Sequence, residues 1–189
     1  MYTLKSGAPE DVALRQERER RCYRLLDGAG IPYMRMDHPA ADNMEVCARL
    51  EKDLGAQICK NLFLCNRQQT DFYLLMMPGD KPFRTRLLSK ALGVSRLSFA
   101  GEDFMKEFLD LLPGAVSILG LMNDRGRRVR LVVDADLKAC PFIGCHPCVN
   151  TSSLRIARED MFEKLPAILE HPVTWVEMEE NGDPESGRM

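Results

Sequence analysis

The amino-acid sequence predicts one α/β domain of the α+β kind, in which a mixed β-sheet is wrapped by helices. Short apolar runs typical of buried strands are interspersed with longer amphipathic segments typical of helices. They do not follow a regular strand–helix–strand rhythm, so a doubly wound parallel sheet is not expected. The chain has 189 residues, which is the length of one domain. We assign 1–176 to this domain and 177–189, which is acidic and contains Gly, Pro and Ser, to a flexible tail.

The individual elements are predicted from apolar periodicity and from residues that begin or end helices. Asp42 followed by Glu45 is a capping-box pattern, which predicts a helix that runs to Leu54 and stops at Gly55. The apolar runs 58–65 and 72–77, separated by a polar turn, predict a β-hairpin. The other predicted helices cover 9–29, 84–92, 102–112 and 159–170. The other predicted strands cover 31–36, 96–100, 116–119, 129–134, 142–145, 153–157 and 173–176.

Composition and charge exclude several classes of protein. The chain is 45% hydrophobic and 29% charged, which is typical of globular proteins rather than disordered ones. It has no apolar run of the roughly 20 residues that span a bilayer and no secretory signal, so we expect a cytoplasmic protein without a membrane partner. The seven cysteines are odd in number and scattered, which favours reduced core thiols. The net charge of −2 does not indicate an extended nucleic-acid surface, so an RNA substrate would be held by a short end.

Lys60 is the first candidate for chemistry. In a strand over 58–65, Lys60 shares one face with Ile58 and Leu62, which places a lysine among large apolar side chains. Burying an ammonium group costs free energy, so such a lysine usually has a partner or a function. At an edge position, however, its stem can pack while its amine reaches water. The strand pattern leaves both interpretations open.

A second candidate is the cysteine-rich segment GCHPCVNT at 144–151. Cys145 and Cys148 have the spacing of a thiol–disulfide redox pair, but the sequence predicts no helix that opens at this motif. A zinc site built from Cys140, Cys145, His146 and Cys148 satisfies the ligand count, although it lacks the paired knuckles of structural zinc motifs. Both interpretations stay open at this point.

Two histidines and two polar residues nearby also have ordinary interpretations. His38 and His146 each precede a proline, a pattern that often reflects only an extended backbone. Asn150 and Thr151 fit turn positions, where such side chains bond to their own backbone. Taken alone, these residues indicate no function.

Five segments together carry a resemblance to a known family. They are KNLFL at 60–64, FYLLMMPGDK at 72–81, LSKALGVSRLSFA at 88–100, PGAVSILGLMND at 113–124 and GCHPCVNTSSL at 144–154. In this order they resemble the YbaK/ProX superfamily of aminoacyl-tRNA deacylases, and within it the free-standing prolyl-tRNA editing proteins. The resemblance covers about residues 30–176. It implies a mixed α/β editing fold, hydrolysis of alanine wrongly esterified to tRNA(Pro), and no metal or other cofactor.

The resemblance also implies roles for individual residues. Lys60 occupies the position of the family's active-site lysine. Gly144 and His146 match the glycine and histidine that line the site around the terminal adenosine and the ester. The residues that we place near the substrate are Asn61, Asn43, His38, Asn150 and Thr151. The implied partner is the acceptor end of aminoacyl-tRNA(Pro), and prolyl-tRNA synthetase is a further candidate; the oligomeric state is not predicted.

Two departures from the family pattern keep alternatives open. Asp42 and Asn43 stand where many relatives have Phe-Thr, near the expected amino-acid pocket, and Cys145 and Cys148 replace residues that are not cysteine. The first alternative is a deacylase for cysteine, serine or threonine on a mismatched tRNA. The second is a non-catalytic protein that binds aminoacyl-tRNA or a synthetase. The third is a redox or zinc protein built on Cys145 and Cys148.

Overall fold

The computed structural model describes residues 2–40 and 44–178, and within them nine strands form one mixed β-sheet. The strands are β1 (Lys5–Ser6), β2 (Tyr33–Asp37), β3 (Gln57–Cys65), β4 (Phe72–Pro78), β5 (Ser98–Phe99), β6 (Val129–Asp134), β7 (Phe142–Cys145), β8 (Ser152–Ala157) and β9 (Val173–Val176). The helices are α1 (Glu17–Gly28), α2 (Met44–Leu54), α3 (Thr85–Leu92), α4 (Glu102–Leu109) and α5 (Leu165–Leu169). The prediction of a mixed sheet wrapped by helices is confirmed.

The sheet places β3 at its centre. The strand order is β1-β2-β8-β7-β3-β4-β6-β9, and β5 pairs with the end of β3. The β3–β4 pair is the predicted antiparallel hairpin, whereas β3–β7, β4–β6 and β6–β9 are parallel pairs. On one side of β3, β7 pairs only with Gln57 and Ile58, and β5 joins only at Leu64 and Cys65. The described strands therefore leave residues 59–62 without a partner strand on that side.

The alternation of side chains along the strands gives the sheet two buried faces. The first face packs against α1, α4 and α5 and holds the largest apolar cluster, which includes Phe63 and Phe72. The second face carries two separate clusters. One packs Leu64 and Leu75 against α3, and the other packs Met36 against α2. The second face is thus covered by two helices with a gap between them.

Helices α2 and α3 end at the predicted residues, and a glycine follows each of them. Helix α2 ends at Leu54, and the following Gly55 has φ 63°. Helix α3 ends at Leu92, and Gly93 has φ 64°. A left-handed backbone is unstrained for glycine, so these residues end the helices at little cost. The predicted N-cap Asp42 lies outside the described residues.

One predicted strand is wrong. The segment 116–119 leads into a 3-10 helix at Ile118–Asn123 instead of a strand. The Ser117 hydroxyl accepts a hydrogen bond from the Leu119 N–H, and the Asn123 amide donates to the Leu109 and Gly120 carbonyls. Because every residue from 118 to 121 is buried, the sequence shows neither a helical nor a strand period there.

Several predicted boundaries also shift. The helix predicted over 9–29 consists of a 3-10 turn at Val12–Leu14 followed by α1, and the one predicted over 102–112 ends at Leu109, where Asp110 has φ 52°. The helix predicted over 159–170 is a π-helical turn at Asp160–Lys164 continued by α5. The two-residue strand β1 was not predicted.

Two further observations concern the chain as a whole. Within the described residues, no helix is long and apolar enough to cross a membrane. The division of the chain into one domain and a tail stays a prediction, because residues 179–189 lie outside the described part.

Candidate active site

A cavity of about 820 Å³ lies beside the beginning of β3, on the sheet face where the clusters under α2 and α3 separate. Three stretches around the strand form its wall: the end of α2 with the loop after it, the loop after β4, and the segment that leads into β7. The residues that line it are Glu51, Lys52, Gly55, Ala56, Gln57, Ile58, Cys59, Lys60, Gly79, Asp80, Ala139, Cys140, Pro141, Phe142 and His146.

Lys60 lines this cavity because of its position in the strand period. Ile58 packs against the α2 cluster, and Leu62 and Leu64 belong to the α3 cluster. Lys60, between them on the same face, falls at the gap and is half-buried. Its Nζ donates a hydrogen bond to the Lys81 carbonyl oxygen at 2.9 Å. Because an ammonium group has three hydrogens, two remain for a ligand.

The carbonyl that accepts from Lys60 is itself held in place. Nζ of Lys81 lies 2.8 Å from Oδ2 of Asp134 and 2.6 Å from Oδ2 of Asp136. Asp134 is 1% exposed at the end of β6, and its Oδ1 accepts from the Asp136 N–H at 3.0 Å. These bonds fix the loop after β4 to the end of β6, and thereby the orientation of Lys60.

Alternate residues of the segment 142–146, which contains β7, face the same side as Lys60. They are Phe142, Gly144 and His146, whereas Ile143 and Cys145 point into the main core. A Cβ on Gly144 would lie 3.0 Å from the Leu54 side chain and 3.2 Å from the Ile58 side chain. The glycine therefore lets β7 approach α2 closely, and this places Phe142 and His146 at the cavity.

The ring of His146 is oriented by a hydrogen bond to the backbone. Its Nδ1 donates to the Ser152 carbonyl at 3.0 Å, so the neutral ring keeps Nε2 as a hydrogen-bond acceptor. Burial lowers the pKa of His146, as does the neighbouring His38, while the bond to Ser152 acts in the opposite direction. The backbone of His146 is also fixed, because the buried Ser117 hydroxyl donates to its carbonyl at 2.5 Å.

Phe142 gives the cavity an aromatic surface. Its side chain is 39% exposed, and the Arg155 guanidinium lies 4.9 Å from the ring centroid. Arg155 also donates to the Leu54 carbonyl at 3.3 Å, which ties it to the end of α2. An exposed ring supported by a guanidinium is a surface on which a nucleobase can stack.

The other predicted substrate residues that the structure describes do not line the cavity. His38 is buried, and its ring Nε2 lies 2.9 Å from the Ser153 hydroxyl. The backbone N–H of His38 donates to the Thr151 carbonyl. Asn61 donates to the Cys59 carbonyl at 3.3 Å. Asn150 and Thr151 lie in the turn between β7 and β8. Asn43 lies outside the described residues.

The cysteine motif does not have the features of a redox site. Cys145 and Cys148 are 4% and 2% exposed, and the Cys148 Sγ lies 3.4 Å from the Sγ of the buried Cys22. Burial raises the pKa of Cys145, and the neighbouring Cys148 adds to this shift. Reactive cysteines are exposed and have a lowered pKa, so these thiols pack as core residues.

The zinc interpretation finds no support in the described part of the chain. Its His, Cys, Asp and Glu side chains form no group of three that could hold a metal ion. The functional groups that line the cavity include the Lys60 amine, the His146 imidazole, the Phe142 ring and the Asp80 carboxyl group.

Sequence analysis missed part of this site. The cavity residues Cys59, Gly79, Asp80 and Phe142 were not predicted, nor was the support that Ser117 gives to His146. The register of the β3–β4 hairpin could have indicated Gly79 and Asp80. Since Cys59 pairs with Pro78, the residues after β4 must lie beside the beginning of β3.

The chain shares sequence with a known protein family and with individual proteins. A family model for the aminoacyl-tRNA editing domain matches residues 38–164. The chain is 30% identical over 136 residues to the prolyl-tRNA editing protein ProX of Acetoanaerobium sticklandii, covering 72% of this chain and 83% of that protein. It is 31% identical over 169 residues to prolyl-tRNA synthetase associated domain-containing protein 1 of Danio rerio, covering 88% of this chain and 89% of that protein.

A solved structure shares the fold. A protein described as a candidate trans-editing enzyme for prolyl tRNA synthetase superimposes with a TM-score of 0.64 at 17% identity. The match covers 86% of this chain and 98% of that one.

Proposed function

Because the chain belongs to the family of aminoacyl-tRNA editing domains, we propose that it is a trans-editing hydrolase that deacylates mischarged tRNA. This membership confirms the resemblance that the five sequence segments carry. The observation that supports the activity best is Lys60, whose ammonium lines a cavity and has a single hydrogen-bond acceptor among the described residues. A protein that only bound tRNA would not need a lysine in this half-buried position.

The reaction that we propose is attack of water on the aminoacyl ester. The water oxygen bonds to the carbonyl carbon, the ester bond to the terminal ribose breaks, and the ribose hydroxyl leaves with a proton. Negative charge develops on the carbonyl oxygen in the transition state. The Lys60 ammonium lies where it can donate to that oxygen or to the terminal phosphate, and one such donor contributes on the order of 3 kcal/mol.

We assign the terminal adenosine to the β7 side of the cavity. Nε2 of the neutral His146 can accept a hydrogen bond from a ribose hydroxyl. The exposed ring of Phe142 offers the adenine a stacking surface, and stacking of a base on an aromatic ring contributes about 1 to 3 kcal/mol. Gly144 acts by letting β7 approach α2, which brings these two residues to the ester.

The proposed substrate is Ala-tRNA(Pro). The sequence resemblance supports it, and the ProX relative is named as a prolyl-tRNA editing protein. Selectivity would follow from size, because a pocket that accepts alanine can exclude proline by steric clash. Deacylation of cysteine, serine or threonine on a mismatched tRNA is the alternative.

The proposed partners follow from the same assignment. The acceptor end of tRNA(Pro) is the substrate partner. Prolyl-tRNA synthetase is a candidate second partner, since the Danio rerio relative carries an association with that synthetase in its name. A cytoplasmic location, where these molecules meet, remains a prediction from the sequence.

The test is single-turnover deacylation of tRNA(Pro) charged with alanine, proline, cysteine or serine. We expect rapid release of alanine and slow release of proline. Release of cysteine or serine in preference to alanine would change the assigned substrate but leave the proposed hydrolysis of the ester unchanged. Binding of charged tRNA without any hydrolysis would favour a non-catalytic binding protein and contradict the proposal.

A further inference from the structure

Asp80 lines the cavity beside Lys60 and has no role in the reaction described above. We propose that its carboxylate binds the α-ammonium group of the aminoacyl substrate and so selects esters that carry a free amine. This inference rests on the proposed function, because it assigns part of the same substrate to a residue of the same cavity.

The loop that carries Asp80 is fixed to β3 on both sides of this residue. The Gly79 N–H donates to the Ile58 carbonyl at 3.1 Å. On the other side, the Lys81 carbonyl accepts from Lys60 at 2.9 Å. A Cβ on Gly79 would lie 2.9 Å from the Ile58 carbonyl oxygen, so the loop lies directly on the strand. Asp80 is therefore held at a defined position next to the catalytic lysine.

The neighbouring cation does not neutralise Asp80. Nζ of Lys81 pairs with Asp134 and Asp136, at the end of β6. Within the described residues, Asp80 forms no ion pair and no side-chain hydrogen bond, and it is exposed to the cavity. Its carboxylate is available to a ligand.

The second acidic residue of the cavity wall is already engaged. Oε2 of Glu51 accepts from the Ile58 N–H at 3.0 Å and from the Gln57 amide at 3.2 Å. These bonds tie the end of α2 to the beginning of β3. Of the two carboxylates that line the cavity in the described part of the chain, Asp80 is the one that accepts no hydrogen bond from a described residue.

The pair of Lys60 and Asp80 matches the charges of an aminoacyl ester. Near the reacting carbon, such a substrate has a carbonyl oxygen that becomes negative and an amine that is positive when protonated. A carboxylate that accepts from an ammonium forms a charge-assisted hydrogen bond, which is stronger than a neutral one. Loss of such a bond corresponds to a change of about 10- to 100-fold in affinity.

The experiment compares two stable adenosine ligands that differ only in the group that Asp80 would bind. One is 3′-amino-3′-deoxyadenosine acylated with alanine at its 3′-amine. The other is the same nucleoside acylated with lactate, in which a hydroxyl replaces the α-amine. Dissociation constants are measured for wild type, Asp80→Asn and the control Asp103→Asn. Asp103 is a suitable control because it is exposed in the first turn of α4 and does not line the cavity.

We expect wild type and Asp103→Asn to prefer the alanine ligand by about 10- to 100-fold, and Asp80→Asn to lose this preference. An Asp80→Asn variant that keeps the wild-type preference would overturn the inference, as would a wild type that does not distinguish the two ligands. Deacylation of Ala-tRNA(Pro), measured on the same preparations, tests the proposed function separately. Amine-selective binding without deacylation would reject the hydrolase and retain the role of Asp80.

Discussion

Replacement of Lys60 by methionine tests the contribution of its charge while largely preserving its packing. Methionine keeps a long unbranched stem beside Ile58 and Leu62 but removes the ammonium. If that group stabilises the developing oxyanion, its loss should cost about 2.7 to 4 kcal/mol of transition-state stabilisation, a fall of about 10²- to 10³-fold in rate. The structural cost should be small. One hydrogen bond, to the Lys81 carbonyl, is lost, worth about 1 kcal/mol or about 2 to 4 °C in Tm.

The assay is single-turnover hydrolysis of Ala-tRNA(Pro) at saturating protein, together with a thermal melt. Lys52→Met is the matched control, because Lys52 is an exposed lysine on the wall of the same cavity and has no hydrogen bond to a described residue. We expect the control to slow hydrolysis by less than about fivefold, as for a screened surface charge. A Lys60→Met rate within tenfold of wild type, with a normal melt, would refute the role of the lysine.

Three further predictions concern the support of the site. Gly144→Ala places a methyl group 3.0 Å from Leu54 and should lower the free energy of unfolding in urea by about 1 to 3 kcal/mol; an unchanged urea midpoint would show that α2 can shift freely. Asp134→Ala removes an ion pair with Lys81 and the N-cap of the 3-10 helix at Ala135–Ala139, so urea unfolding should report a loss of about 2 to 3 kcal/mol together with slower deacylation. Full activity in this variant would contradict the positioning role of that pair. Because burial lowers the pKa of His146 below its usual 6.5, the unfolded chain binds a proton that the folded ring does not, and the free energy of unfolding should fall as the pH drops below 6.5 until it reaches the folded pKa. Between about pH 7.5 and about pH 5.5 the free energy of unfolding should depend less on pH in His146→Asn than in wild type. An equal slope in the two proteins would contradict the attribution of this pH dependence to His146.

Much of the fold could be predicted because its strongest signals are local. The apolar runs of β3 and β4 differ in pattern from the polar turn between them, and Gly55 and Gly93 mark helix ends through their backbone freedom. The segment 116–119 could not be predicted in this way. Its conformation depends on the bond that Asn123 donates to Leu109, a contact that no local pattern reveals.

The site was predictable only where an unusual residue type marked it. Lys60 is conspicuous as a charge in an apolar strand, and the family resemblance indicated His146. Phe142 and Asp80, in contrast, are ordinary residue types at a strand start and in a turn. Their place at the cavity follows from the pairing of β3 with β7 and β4, which sequence periodicity does not specify. Ser117 is similar, because its bond to the His146 carbonyl joins residues 29 positions apart.

The cavity wall is divided between one strand and several loops, and this affects how the site can change among related sequences. Lys60 belongs to the central strand, where any displacement would disturb its pairing with β4. The stretches that would contact the amino acid and the nucleoside are connections that can accept insertions and exchanges without disturbing the sheet. If Lys60 has the proposed role, relatives with this arrangement can change their preferred amino acid by altering the end of α2 or the loop after β4, while the lysine stays in place. Exchanging those two connections between homologues would then change the selectivity of editing.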